Sequence, residues 1–292
     1  MPEAVKSYVF VILSSVGYST TAIFVKLAYL GGMEPLPLVS LRFFIAAWLM
    51  LFYLLYSKKL SLATLPQNLL KLGLPGFLGY GGAAVGFLLS LHYLKAPVAS
   101  ILLYTYPTMV TILSAIFFKE PFTKQRVFAL IFTFSGIMFV INIFDLDNLA
   151  LHPLGLIYSL VAALSYAFFN IYAQKNISNV SPQLLTFYPL VTGAILLPLI
   201  SNPLAFLYTK HIVANFNFGL GLALFGTVLP MILYYKGLKR VKASVASIIA
   251  SFEPVFTAIL AAIILGDNIT QAQIIGGILI LLGVFVLQTE EK

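Results

Sequence analysis

Ten long apolar runs divide the chain, and they restrict its fold more than any other feature. A run of about 20 mainly apolar residues is long enough to cross ~30 Å of hydrocarbon as an α-helix. The runs lie at residues 8–29, 36–56, 69–91, 97–118, 125–144, 153–174, 182–201, 212–236, 243–265 and 272–288. The connections are short, and none is long enough to form a separate soluble domain. The pattern predicts an all-α integral membrane protein with ten transmembrane helices.

The composition agrees with this prediction, because 61% of the 292 residues are apolar and only 9% are charged. A soluble domain carries roughly a quarter charged residues. The net charge of +8 would suggest nucleic acid as a partner of a soluble protein. Here the Lys and Arg residues fall between the apolar runs, where they orient segments in a membrane, so we expect no nucleic-acid partner. The chain has no cysteine, which excludes disulfides and thiolate metal sites.

The positions of the Lys and Arg residues predict the orientation of the chain. If the N-terminus is cytoplasmic, all but four of the seventeen lie on the inner side. Those four are Lys26, Arg42, Lys95 and Lys210. Because cytoplasmic loops carry an excess of Lys and Arg, we expect both termini to be cytoplasmic. The first run begins close to the N-terminus without a convincing cleavage site, so we expect an uncleaved first span.

The second half of the chain repeats the first. Residues 91–123 align without a gap to residues 238–270 at a shift of 147, and thirteen of the 33 positions are identical. Three of the shared positions cannot be attributed to a common apolar bias; these are Ser100 and Ser247, Pro107 and Pro254, and Thr123 and Thr270. The alignment predicts two repeats, residues 1–146 and residues 147–292, within one membrane domain.

Each predicted repeat has five helices, an odd number, so the second must cross the membrane in the opposite direction to the first. The loop before helix 4 has one Lys, whereas its copy before helix 9 has four Lys or Arg. The loop after helix 4 has three, whereas its copy after helix 9 has none. Inverted repeats are typical of secondary transporters, because two similar halves that exchange conformations open the protein to one side and then to the other.

Helices 4 and 9 are each interrupted by a proline, at Pro107 and Pro254. A proline cannot donate to the carbonyl four residues before it, and it forces the preceding residue away from helical geometry. Corresponding breaks in two halves are a sequence sign of a transport site, and we interpret both prolines as candidate hinges. The alternative is a pair of structural kinks whose free carbonyls bond to neighbouring helices.

Glu253 lies near the middle of the ninth run, where an ionised side chain costs several kcal/mol unless a partner receives it. It shares a helix face with small residues, which predicts that it points into the helix bundle. There it is a candidate to bind a cationic group or to carry a coupling proton. The alternative is a carboxyl that bonds to the freed backbone near the kink. The equivalent residue of the first repeat is Tyr106.

Other polar residues inside the runs are candidates to line a central cavity. Helix 4 carries a polar stripe that includes Ser100, and helices 1, 3, 6 and 9 add further hydroxyl and amide groups. The candidates besides Glu253 are Tyr18, Tyr80, Tyr104, Tyr106, Tyr166, Asn170 and Ser247. Hydroxyl groups also join transmembrane helices without contacting a substrate, and this alternative stays open.

Two cations are candidate contacts for an anionic group. Arg42 lies about two turns into helix 2, deeper than a simple interface anchor. It is a candidate to clamp a carboxylate or phosphate, and the alternative is a bond to a carbonyl or a lipid headgroup. Lys26 is a weaker candidate, because its side chain can extend to the membrane surface instead.

Enzyme and metal signatures are absent from the sequence. The three His residues lie singly at span ends, without HExxH spacing, and no run contains a pair of carboxylates. We therefore expect no catalytic residues, no metal and no cofactor.

Two half-motifs give the chain a resemblance to a known family. The first runs from Pro107 to Lys119-Glu120-Pro121-Phe122-Thr123, and the second from Glu253-Pro254 to Gly266-Asp267-Asn268-Ile269-Thr270. With Pro35 and Arg42 at the start of helix 2, they resemble the drug/metabolite transporter superfamily, specifically its EamA-like ten-helix branch. The resemblance covers nearly the whole chain. Tyr18 departs from a common tryptophan, and Asp267 from a common glutamate.

This resemblance implies a basket of two inverted five-helix repeats. It places a central cavity between helices 1, 3, 4, 6, 8 and 9, and it places helices 5 and 10 at the periphery, a position linked to homodimers. It also implies a multi-pass protein of a prokaryotic plasma membrane. Members transport amino acids, metabolites, nucleotide sugars or drugs, so the substrate does not transfer with the fold.

We therefore expect a secondary active transporter that works by alternating access in the lipid bilayer. Its substrate would be a small polar or amphipathic metabolite, first of all an amino acid or related compound, moved by export or exchange with a proton as a candidate coupling ion. Two alternatives remain: a membrane-embedded enzyme acting on lipid, and a non-transporting receptor or assembly factor.

Overall fold

The fold is described from a computed structural model of residues 3–60, 65–143 and 152–288. In these ranges the chain forms no strand, one short 3-10 helix at Ala205–Tyr208 and ten long helical segments. They are α1 (Glu3–Leu30), α2 (Pro35–Tyr56), α3 (Leu65–Ser90), α4 (Ala96–Phe118), α5 (Lys124–Val140), α6 (Pro153–Asn176), α7 (Pro182–Leu199), α8 (Ile212–Leu238), α9 (Ala243–Leu265) and α10 (Gln271–Gln288). Eight of these segments are long and apolar enough to cross a membrane; the other two are α5 and α10, the last helix of each repeat.

The predicted fold class, an all-α membrane protein of two five-helix repeats, is confirmed. The predicted boundary between residues 146 and 147 lies outside the described residues. Proline starts several helices, for example Pro35 in α2 and Pro182 in α7, where its missing N–H has no partner to lose. α5 starts after Thr123, whose side chain accepts a bond from the N–H of Arg126.

The repeat is visible in the breaks of α4 and α9. α4 consists of Ala96–Leu103 and Tyr106–Phe118, and α9 consists of Ala243–Ala250 and Glu253–Leu265. Every boundary in α9 is its counterpart in α4 shifted by 147. In both helices the proline is the second residue of the second half, which suits a residue without an N–H. The breaks lie where the sequence predicts them.

The two helices also end alike, at Lys119 and Gly266. Both residues have left-handed backbone conformations, with φ of 54° and 74°. Glycine adopts this conformation without strain, whereas lysine does so at a steric cost. The second repeat therefore ends its helix with the residue that this geometry favours, and the first repeat keeps the geometry with a different residue.

A second pair of equivalent irregularities lies in α3 and α8. Each contains one widened π-helical turn, Leu69–Gly73 in α3 and Leu224–Val228 in α8. A Leu-Pro pair follows each turn, with the prolines at Pro75 and Pro230. Because proline cannot join the regular bonding ladder, one extra residue is accommodated in the preceding turn. The sequence comparison missed this pair, because α3 and α8 align at a different shift from α4 and α9.

The two repeats interlock through close helix contacts. Cβ atoms built on Gly136 of α5 or Gly276 of α10 would lie 2.6 and 2.4 Å from the carbonyl oxygen of the other glycine. The glycines of α3 pack on α6 in the same way, since a Cβ on Gly79 would lie 2.8 Å from the Cα of Phe169. α1 packs against α8 in the same way. This pair corresponds to α6 and α3, because α1 is the first helix of its repeat, as α6 is, and α8 is the third, as α3 is. Small residues here allow the backbones to approach closely.

Candidate functional site

A cavity of about 800 Å³ lies between the helices of both repeats. Its wall comes from the last turns of α1 and α3, the first turns of α2, the first half of α4 and the second half of α9. Neighbouring helices cross the membrane in opposite directions, so all these parts lie in the same half of the protein. We call this half the open half, and the half that contains the end of α4 the closed half. In the predicted orientation, the open half faces outward.

The deep end of the cavity is formed by five tyrosines, one or more from each of α1, α3, α4 and α6. They are Tyr18, Tyr80, Tyr104, Tyr106 and Tyr166, and all five line the cavity. The rings of Tyr104, Tyr106 and Tyr166 form a connected group, with centroids 4.5 Å apart for Tyr106 and Tyr166 and 6.4 Å apart for Tyr104 and Tyr106. Within the described residues, the buried hydroxyl of Tyr18 has no hydrogen-bond partner. This surface offers aromatic faces together with hydroxyl groups.

Glu253 is the first residue of the second half of α9 and lies in the cavity wall. Its carboxylate makes no hydrogen bond or ion pair with the described residues. Its backbone carbonyl accepts a 2.9 Å bond from the Thr257 hydroxyl. Arg42 and four of the deep-end tyrosines lie within electrostatic range of the carboxylate; these are Tyr80, Tyr104, Tyr106 and Tyr166. The side chain therefore faces the cavity from inside the bundle.

Arg42 is buried in α2 beside the widened turn of α8. Its Nε donates to the Thr227 hydroxyl, and its Nη2 donates to the Tyr80 hydroxyl and, at 3.1 Å, to the Gly226 carbonyl. The guanidinium also lies over the Tyr80 ring, 5.3 Å from its centroid. The carbonyl contact anticipated as the alternative for Arg42 is thus present, and Arg42 still borders the cavity.

Lys26 lies at the mouth of the cavity, on the last turns of α1. Its ammonium group forms a 3.2 Å ion pair with Asp267 in the loop between α9 and α10. Both side chains are about half exposed, at 51%. Lys26 therefore contacts the other repeat rather than extending freely to the surface.

Three of the candidate residues lie behind the cavity wall. Asn170 is buried, donates a 2.7 Å bond to the Tyr166 carbonyl and accepts one from the Tyr234 hydroxyl. Ser247 is also buried and donates a 2.9 Å bond to the Ser244 carbonyl. Pro107 is buried, whereas its counterpart Pro254 lines the cavity. In this conformation the structure brings the tyrosines, Glu253 and both cations together, but not these three.

Some residues of the site were not anticipated from the sequence. Thr227 and the Gly226 carbonyl hold Arg42, and Thr21 and Gln273 line the cavity. Thr227 and Gly226 reach Arg42 because they lie in the widened turn before Pro230. This proline could have indicated the irregular turn from the sequence. Among the described residues, no group of three or more His, Asp or Glu side chains could hold a metal ion.

Comparison with known proteins identifies the family. The model of the EamA-like transporter family matches residues 5–142 and residues 153–289. The uncharacterized transporter YyaM of Bacillus subtilis is 26% identical over 87% of this chain and 84% of its own length. An uncharacterized transporter of Archaeoglobus fulgidus is 29% identical over 96% of this chain and 95% of its own length.

A solved crystal structure shares the fold, with a TM-score of 0.80 over 97% of this chain and 96% of that chain, at 16% identity. The family match covers both repeats and leaves out only their junction and the chain ends. The chain is therefore a multi-pass membrane protein that belongs to the EamA-like transporter family.

Proposed function

We propose that this protein is a secondary active transporter that moves a small amphipathic metabolite, first of all an amino acid or related amine, by alternating access. Membership of a transporter family supports transport in general. The observation that carries the more specific proposal is the cavity, which joins an aromatic surface, a free carboxylate and a bordering guanidinium in one half of the protein. Its volume of about 800 Å³ is sufficient for a metabolite of this size.

The charges of the cavity favour a substrate with an amine. Glu253 has no hydrogen-bond partner among the described residues, so a substrate ammonium group would satisfy it. The nearby tyrosine rings would attract the same cation through their faces. A substrate carboxylate would find donors at Arg42. The described hydrogen bonds of this guanidinium use Nε and Nη2 and leave Nη1 for the substrate. An amino acid carries both groups, and its side chain would contact the apolar part of the wall.

Glu253 would also couple transport to protons. A carboxylate holds either a proton or an ammonium ion, so the two would compete for one site. Protonation would release the amine on one side, and deprotonation would prepare the site for the next molecule on the other. The proposed cycle is therefore an exchange of substrate for proton, with export as the direction that an inward proton gradient drives.

The proposed setting is a prokaryotic plasma membrane with both termini in the cytoplasm. The Lys and Arg positions support this orientation. The cavity then opens outward. The periphery of the described part of the chain includes α5 and α10, which pack on each other, so a homodimer through their outer faces stays a prediction.

Counterflow in proteoliposomes tests the proposed function. Vesicles containing the purified protein are loaded with an excess of one unlabelled amino acid or amine, and a labelled trace of it is added outside. We expect transient accumulation of label for at least one amphipathic substrate, and none in vesicles without protein. Binding without accumulation across a panel of amino acids, amines, sugars and nucleotides would overturn the proposal in favour of a receptor.

A further inference from the structure

The closed half of the protein contains a buried polar cluster that the cavity does not use. Glu120, in the loop between α4 and α5, accepts a 2.8 Å bond from Arg126 and a 3.1 Å bond from Gln174. It also accepts a bond from the Ser244 hydroxyl. The Glu120 and Arg126 side chains are only 4% and 3% exposed. Gln174 in turn accepts a bond from the Ala243 N–H.

This cluster joins the two repeats at a single point. Glu120 and Arg126 belong to the first repeat, whereas Gln174 ends α6 and Ser244 begins α9 in the second. All four lie at the end of the protein opposite to the cavity mouth. A buried ion pair of this kind is costly unless every group is satisfied, and here each oxygen of Glu120 has a partner.

The repeats show that the closed half is a second, collapsed version of the open half. On α4 and α9, and at the residue that follows α3, eight cavity-lining residues have a counterpart at a shift of 147 that is buried away from the cavity. The lining residues are Ser100, Leu103, Tyr104, Pro254, Thr257, Ala258, Ala261 and Leu91. Their buried counterparts are Ser247, Ala250, Ser251, Pro107, Val110, Thr111, Ser114 and Leu238. Within α4 and α9, only the central pair, Tyr106 and Glu253, lines the cavity from both repeats.

Two of these buried counterparts are polar groups without a use in this conformation. The hydroxyls of Ser114 and Ser251 are fully buried and have no hydrogen-bond partner among the described residues. Unsatisfied buried hydroxyls are uncommon and costly. Their counterparts in the open half, Ala261 and Tyr104, face the cavity. A conformation that opened the closed half would place both hydroxyls in water.

The counterpart of Glu120 is Asp267, whose surroundings differ sharply. Asp267 pairs with Lys26 of α1, and both side chains are half exposed. The cation and the hydroxyl of the buried cluster have no equivalent here, because Gln273 of α10 stands at the position of Arg126 and Pro97 of α4 at the position of Ser244. The contact of Asp267 with Lys26 of α1 corresponds to the contact of Glu120 with Gln174 of α6. Among the described residues, Asp267 makes no hydrogen bond to the start of α4 that would correspond to the bond between Glu120 and Ser244 of α9.

We propose that the Glu120 cluster is the gate of the closed half, and that Asp267 with Lys26 is the gate of the open half. Glu120 is buried when the cavity opens at one end, and Asp267 becomes buried when it opens at the other. The Glu120 gate has more bonds than the Asp267 gate, so the resting conformation is the one in which the Asp267 end is open. The link of these gates to flux rests on the proposed function, whereas their effect on conformation does not.

Side-specific thiol labelling tests the two gates, and the absence of native cysteine makes single reporters straightforward. Ser114→Cys reports on opening of the closed half, and Ala261→Cys on opening of the other half. Lys239→Cys, exposed beside the start of α9, identifies the membrane side of the closed half. Labelling uses a membrane-impermeant maleimide applied to one side of sealed vesicles at a time.

In the parent background we expect slow labelling of Ser114→Cys from the Lys239 side. Glu120→Gln removes the ion pair, and we expect labelling to become about tenfold faster, because breaking a buried pair is strongly unfavourable to the state that contains it. Asp267→Asn should make it slower still. Ala261→Cys, labelled from the other side, should change in the opposite directions but by less, because that half is already open in the resting conformation. Glu3→Gln, which removes an exposed ion pair with Arg240, should change neither reporter.

Opposite responses to Glu120→Gln and Asp267→Asn support the gates, since a merely destabilised fold would label faster at both reporters. Equal responses, or no response to Glu120→Gln, would overturn the proposal. If Glu120→Gln does not fold, Ser244→Ala removes one donor and should give a smaller change in the same direction. If the labelling changes as predicted but counterflow is absent, the gates are supported and the proposed transport is rejected. If counterflow is present but the labelling does not change, transport is supported and the gates are rejected.

Discussion

The open and closed halves of this protein are built from similar sequence but differ in what they expose. Ser100 faces the cavity in α4, whereas its counterpart Ser247 in α9 is fully buried. Ala261 faces the cavity in α9, whereas Ser114 in α4 is fully buried. Residue type does not explain this difference, because both copies include small and hydroxyl residues. The asymmetry lies mainly in conformation, which is what two repeats need in order to exchange roles.

A smaller part of the asymmetry lies in the residues themselves. Glu253 and Tyr106 occupy equivalent positions at the centre of the bundle and both line the cavity. Arg126 and Gln273 are also equivalent, but only Arg126 forms a buried ion pair. The proposed cycle would reverse the conformational difference, whereas the charge at the centre and the buried ion pair belong to one repeat each.

The largest expected effect is at the central pair. Glu253→Gln removes the charge, and we expect proton-gradient-driven uptake to fall to background in proteoliposomes. Tyr106→Phe keeps the ring and removes one hydroxyl, so KM should rise about fivefold, equivalent to ~1 kcal/mol for one hydrogen bond. Two results would contradict a special role of Glu253 in proton coupling. One is gradient-driven uptake that survives Glu253→Gln, and the other is an equal loss of this uptake in Tyr106→Phe.

The close contact between α5 and α10 should be weakened equally by a substitution in either repeat. Gly136→Ala and Gly276→Ala each place a Cβ within 2.6 Å of a carbonyl oxygen, so the backbones must separate. We expect each change to destabilise the protein by about 1–3 kcal/mol, as in other overpacked contacts. Thermal unfolding in detergent measures this effect. Gly277→Ala is the matched control, because its Cβ would meet its nearest neighbour at 3.7 Å, an ordinary contact.

The two proline breaks should also respond alike, although only Pro254 lines the cavity. Pro107→Ala and Pro254→Ala restore an N–H that can bond to the carbonyl of Leu103 or Ala250 and close the break. We expect each change to slow counterflow about threefold by joining two helix halves that move separately. A rate unchanged in both variants would show that the breaks are structural kinks. Binding measured by ligand-induced thermal stabilisation should remain.

The smallest effect is expected at the exposed gate. Lys26→Gln removes an ion pair whose side chains are half exposed, so stability should change by less than ~1 kcal/mol. Thermal unfolding in low and high salt measures this contribution. Arg126→Gln, at the buried pair, should be far more damaging to stability. Similar losses in both variants would contradict the difference in burial between the two gates.

Much of this architecture follows from the sequence, because lipid leaves little choice. The apolar runs predict the helices, and the shift of 147 predicts the matching breaks at Pro107 and Pro254. The tyrosines and Glu253 reach the cavity because each lies on the inward face of an otherwise apolar helix. These features depend on local pattern and on repetition, which a single chain displays directly.

The remaining features depend on how distant segments meet. Arg42 is held by the widened turn of α8, more than 180 residues away in the chain, as the separation of 185 from Thr227 shows. Asn170 and Ser247 resemble cavity residues by position, yet they lie behind the wall because the closed half has collapsed around them. Glu120 appears within a short motif, but its burial requires Gln174 and Ser244 from the other repeat.

Transport in the proposed cycle requires the closed half to open, and reversible cross-linking tests this requirement most directly. Cysteines replacing Glu120 and Ser244 would be joined across the gate by a short, thiol-cleavable bis-methanethiosulfonate. We predict that the joined protein shows no counterflow, and that a reducing agent restores it. Undiminished counterflow in the fully joined protein would contradict the account.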